Sequence, residues 1–135
     1  MPVAEFRFFR QVGGRGQFGR VQVHAEPHPD QVHVHLDHAV QITSNDHALP
    51  LTEPDAVDWG QGALQGCRDA LEFAKAQGVC TGGTARILGI HGAIVDTGRE
   101  SIRIAALMAT WNALTDSHDP LTMTFHDGRW SVART

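Results

Sequence analysis

The sequence predicts an α+β fold, a two-layer sandwich of one sheet and two helices in the order β-β-β-α-β-α, closed by a C-terminal β-hairpin. Three observations carry this. Apolar residues alternate with period two over Phe18–Glu26 and Gln31–His38, the mark of half-buried strands. Two capping-box signatures, Thr52 to Asp55 and Thr97 to Glu100, each precede apolar residues at helical spacing. Asp127-Gly128 joins two short alternating runs, a strong hairpin signal.

The first strand is expected over residues 4–12, where the Phe8-Phe9 pair interrupts alternation and marks a bulge. In the second strand Val21, Val23 and Ala25 share one face and Gln22 and His24 the other. In the third, Val32, Val34 and Leu36 point inward and His33 and His35 outward. Pro27-His28-Pro29-Asp30 reads as the turn between them. Pairing Glu26 with Gln31 would set Val23 against Val34 and His24 against His33, so the two are expected to form a hairpin. Residues 39–51 show no period and read as a loop. The first helix starts at Thr52, with Pro54 in its first turn, an apolar stripe of Leu64, Cys67, Leu71 and Ala74, and Gly78 just past its end. Gly60, Gly62 and Gly66 within it are breaks or points of close packing, and regular helix is expected from about Gly62. Thr84–Ile90 forms a strand, and 98–114 a helix apolar around most of its circumference, hence buried. In the final hairpin, Leu121–His126 and Arg129–Ala133, Phe125 should face Trp130 and Met123 should face Val132.

At 135 residues, 41% hydrophobic and 19% charged, the chain fits one domain, 1–135. No run approaches the ~18 apolar residues of a membrane span, and Met1–Arg7 is too polar for a signal peptide. Cys67 and Cys80 have no metal or redox spacing, so reduced thiols and a cytoplasmic location are expected. No phosphate-binding G-x-x-x-x-G-K-[ST] loop occurs, which excludes GTP binding of that kind.

The most informative stretch is Gly13-Gly14-Arg15-Gly16-Gln17-Phe18-Gly19-Arg20. Its glycines permit turns at positive φ and close backbone approach, and its arginines offer planar forks to phosphate or carboxylate. Net charge is -4, which argues against a generally basic nucleic-acid binder, but the distribution is uneven. Residues 1–20 set four arginines against Glu5 alone, and residues 21–58 carry seven acids and no Lys or Arg. A single directed contact surface follows from that asymmetry.

The string Gly13 to Gly19, with Val21 and Val23 behind it, resembles the opening of domain IV of translation elongation factor G. Gly66-Cys67-Arg68-Asp69-Ala70-Leu71, Gly78-Val79-Cys80-Thr81-Gly82, Val95-Asp96-Thr97 and Ser101–Ala106 resemble later parts of the same domain, in order, over about residues 9–114. The resemblance implies the ribosomal protein S5 domain 2-like fold with its left-handed βαβ crossover, with 115–135 an extra hairpin. It also implies contact with the ribosome or structured RNA. The family's Gly-Gly-x-Ile-Pro segment has no counterpart in Val40–Pro50, and Arg99 replaces an acidic residue. The family's tip histidine falls at Ala93, with His91 two residues earlier.

The expected RNA- or ribosome-binding residues are therefore Gly13, Gly14, Arg15, Gly16, Gln17, Gly19 and Arg20, with His91, Arg99 and Arg103 extending the surface. The alternative for the glycines is a tight connection kept for shape, and for Arg99 and Arg103 solvation or ion pairing with Glu100 and Asp96. The sequence presents no nucleophile elbow and no assignable carboxylate pair, so the chain is expected to be non-catalytic and to need no cofactor. Phe125 and Trp130 read as hairpin packing rather than a base-stacking platform. A protein-interaction module that kept the fold and lost the RNA role is the second reading, and a separately encoded protein partner is compatible with either. A third is metal binding by His24, His33 and His35, with Asp37 as fourth partner, against the alternative of a solvated polar face.

Overall fold

The computed structural model describes residues 2–45 and 51–135. The elements run β1 (Val3–Val12), β2 (Arg15–Pro27), β3 (Val32–Ser44), α1 (Glu53–Ala76), β4 (Gly83–Gly92), α2 (Arg99–Thr115), β5 (Leu121–His126) and β6 (Arg129–Arg134). The predicted order therefore holds. The four-stranded sheet has the order β1-β2-β4-β3, with only β3 and β4 parallel and α1 connecting them, and β5-β6 forms a separate ribbon. Among the described residues no helix is long and apolar enough to cross a membrane.

The expected β2–β3 hairpin does not form, because β4 lies between the two strands. A Cβ on Gly82 would stand 2.4 Å from the Gln31 carbonyl oxygen and 2.8 Å from that of His28. The His28 amide donates to Gly82 and the Gly83 amide to Gln31, at 3.0 and 2.7 Å. Only glycine lets the chain enter the mouth of the turn this closely, and once inside, it takes both strands' inner hydrogen bonds. With β4 interposed, Val23, Ile87 and Leu36 share one row and His24, Arg86 and His35 the next, as assigned, but Val32 at the start of β3 is exposed rather than inward.

The bulge expected at Phe8-Phe9 is also absent. β1 and β2 pair without interruption from Val3 opposite His24 to Val12 opposite Arg15, so Phe8 faces the core and Phe9 the other side. The register instead shifts at Gln22/Val23 and again between Leu36 and Gln41. Residues 39–44 belong to β3 rather than to a loop, and Val40 and Ile42 continue across the irregularity the inward alternation of Val34 and Leu36. Residues 46–50 of the expected loop lie outside the described residues.

Both helices pack on one sheet face, with Phe8, Val21, Val23, Ile87, Ile90, Trp59, Leu71, Ile102 and Ile104 in the common core. α1 is unbroken from Glu53, and its glycines are contact points. The Thr52 hydroxyl accepts from the Asp55 amide, as the capping signature requires. At α2 the cap is Gly98 instead of Thr97. The Ser101 hydroxyl accepts from the Gly98 amide at 3.0 Å, while the Thr97 hydroxyl donates to the Phe18 carbonyl at 2.7 Å. The hairpin pairs as read, Phe125 with Trp130 and Met123 with Val132. Trp130 packs edge-on to Phe8 at 5.0 Å, closing the core at that end. Both cysteines are free, and burial pushes the Cys67 thiol up to about 12, so it is a packing group.

Candidate nucleic-acid interface

Gly13 and Gly14 alone make the turn. Their φ values of +59° and +78° give the two-residue connection that suits the twist of β1 and β2. Residues 15–20 are strand, and their remaining glycines serve packing. A Cβ at Gly16 would press on the Asp96 carboxylate at 3.3 Å, and one at Gly19 on the Ser101 carbonyl oxygen at 2.9 Å. The Phe18 amide donates to the Asp96 carbonyl, and Gln17 Oε1 accepts from the Trp130 indole, both at 2.9 Å. Much of the motif thus joins β2 to the 93–98 turn and to the hairpin. Its exposed charge is Arg15, which among the described residues makes no ion pair.

On the sheet face opposite the helices, pairing places side chains in rows. Arg7, Arg20, His91 and Thr43 form one row across all four strands. Phe9 and Phe18 form the next row toward the turn. The Arg7 guanidinium stands 5.7 Å from the Phe9 ring centre and 5.2 Å from that of Phe18, and it has no carboxylate partner among the described residues. Arg20 lies 3.4 Å from Glu5 across an exposed pair, which holds it only weakly. Glu5, Arg20, Gln22, Gln41, Thr43 and His91 line a shallow depression of about 140 Å³. Sequence reading missed Arg7, Phe9 and Thr43. The missing signal was the parity of β1, legible only if Phe8 and Phe9 are taken to face opposite sides.

His91 Nδ1 lies 2.7 Å from the Thr43 hydroxyl. Burial, and secondarily the Arg20 charge beside it, hold its pKa below the ordinary 6.5. The folded chain therefore takes up this proton less readily than the unfolded chain. The associated stability is full above the ordinary imidazole range and is lost as pH falls from it through the depressed value. His91→Asn should flatten that part of the profile, read as urea midpoints from neutral to mildly acid pH. An unchanged profile would discount the burial of this imidazole.

The other predicted residues do not join this face. Arg99 donates to Asp58 of α1 at 2.8 Å on the helical side. Arg103, with its side chain 5% exposed, is bound by Glu100 and Asp69 and cannot reach a ligand. His24 and His33 are not opposed, since Arg86 stands opposite His24, and Asp37 lies 3.5 Å from Arg86. Among the described residues no group of three His, Cys, Asp or Glu side chains converges.

No family model matches the chain, and neither does any curated protein. Among solved structures the chain is similar to a crystal structure of a protein from Thermus thermophilus, with 18% identity and a TM-score of 0.55 over 92% of this chain. It spans only 19% of that protein's length. At this identity the likeness is one of fold.

Proposed function

We propose that this chain is a non-catalytic, translation-related domain of the ribosomal protein S5 domain 2-like superfamily, akin to domain IV of elongation factor G. It contacts the ribosome or structured RNA with the turn end of its sheet. The observation that carries this is the cross-strand pair Arg7 and Arg20 on the sheet face opposite the helices, Arg7 without a carboxylate partner among the described residues, with Arg15 exposed at the turn on the other face, ahead of a stretch, 21–58, that has seven acids and no Lys or Arg. The resemblance of the Gly13–Gly19 string supports it, although Arg15 and Arg20 now stand for the contact that the whole motif was expected to make.

Co-sedimentation with ribosomes and separated subunits across a salt series tests the reading. Saturable binding that weakens with salt is expected. Arg15→Ala with Arg20→Ala should lower affinity and reduce the salt slope by roughly 1–2, about one per lost phosphate contact, while the unfolding midpoint hardly moves. Ribosome affinity unchanged in the double variant would remove the site. A specific observation favours a protein-interaction module as second reading: Gln17, Gly16 and Gly19 are consumed by packing. That module would hold a partner after nuclease treatment.

A further inference from the structure

We propose that Phe9 is a stacking platform for an unpaired base, so that the RNA engaged at this end of the sheet is single-stranded where it touches. This rests on the RNA-contact reading above. Phe9 is 43% exposed, while the other five phenylalanines and the three tryptophans of the chain are buried or half-buried. It projects from β1, the edge strand, so one flank of the ring meets no further strand. Phe18 beside it, with ring centres 6.5 Å apart and planes inclined at 67°, holds the ring upright instead of covering it.

Charge complementarity names the occupant. Arg7 lies against both rings and Arg20 is its cross-strand neighbour, so a base resting on Phe9 would carry its own phosphate to two guanidinium groups. A purely apolar peptide would leave those charges unpaired, and an acidic peptide without an aromatic side chain would leave the ring's π-face unused. A duplex keeps its base faces inside the stack and offers a sheet phosphates, 2′-hydroxyls and base edges but no open π-face, whereas an unpaired nucleotide offers a π-face beside an anion. Base stacking on aromatic rings tolerates any sequence, so any base preference would have to come from the neighbouring Gln22, Gln41 and Thr43 side chains.

Fluorescence anisotropy with two end-labelled RNAs of equal phosphate number, a stem-loop and a blunt duplex, tests this at low salt. The protein should prefer the stem-loop. Phe9→Ala should weaken stem-loop binding roughly tenfold and leave duplex binding unchanged, the size expected when one stacked base is lost. Phe9→Tyr, which keeps the ring, should bind like the parent protein, and thermal unfolding of each variant checks folding. If Phe9→Ala leaves stem-loop binding unaltered while Arg15/Arg20 replacement weakens it, stacking is refuted and the phosphate contact stands. Failure of both RNAs to bind while ribosomes still co-sediment would overturn stacking alone, and failure of both assays would overturn the two together.

Discussion

Replacing Gly66 with alanine is expected to destabilise the protein by about 3 kcal/mol or more, a large share of the 5–15 kcal/mol typical of a domain. The added Cβ would stand 2.1 Å from the Arg103 carbonyl oxygen and 2.9 Å from the Ala106 Cβ. Both belong to α2, which is buried along most of its length and cannot retreat. The helix-propensity gain of about 1 kcal/mol does not offset such a clash. Gly62 faces the Arg99 carbonyl at 2.5 Å and should behave alike. Gly60 is the internal control. Its Cβ would make an ordinary 3.5 Å contact with Leu36 Cδ1, so Gly60→Ala should stabilise by up to about 1 kcal/mol. Urea unfolding of the variants reads both signs, and a Gly66→Ala protein as stable as its parent would show that the helices do not meet at this glycine.

The same glycines show what the sequence could and could not say. Elements fixed by nearby residues were legible: Asp127-Gly128 set the terminal hairpin, Thr52 and Asp55 the start of α1, and Gly78 its end. Features that depend on distant chain were not. Nothing local to 26–31 indicates that Gly82 will enter the turn and place β4 between β2 and β3. The register shift between Leu36 and Gln41 is likewise set by pairing with distant β4, whereas the second half of β3 was legible, since Val40 and Ile42 keep the parity of Val34 and Leu36. At the candidate interface, sequence chemistry identified the right segment but could not divide it. Gly16, Gln17 and Gly19 answer to Asp96, Trp130 and Ser101, partners from the far end of the chain. What remains for a ligand is Arg20 with Arg7 and Phe9 on one face, whose placement needed the β1 register, and Arg15 at the turn on the other.

Arg103 is the sharpest case of a residue whose role reversed, and Arg103→Met should cost about 3 kcal/mol. Its Nη1 donates to Asp69 at 2.9 Å, while Nε and Nη2 make a two-point contact with Glu100 at 2.8 and 2.7 Å. Nη2 also donates to the Trp130 carbonyl, and Glu100 accepts the Trp130 amide at 2.6 Å. Burial opposes the charge, but the two carboxylates overcome it and hold the guanidinium pKa above its ordinary value. Methionine fills similar space without charge, so the loss comes from Glu100 left without its cation and from Asp69 left with only the exposed Arg129 at 3.7 Å. Asp69 and Glu100 remain 22% and 26% exposed, which lets water moderate the penalty and places it at the low end for a broken buried pair. The network ties α1 and α2 to the first residues of β6, so the terminal hairpin should loosen first. Amide exchange should quicken across β5 and β6 before it does in the helices. Adding Asp69→Asn and Glu100→Gln to Arg103→Met should recover much of the stability, because the stranded charges disappear with the cation. If the triple variant is no more stable than Arg103→Met alone, the arginine contributes by packing its stem, and the charge network is incidental to holding the hairpin.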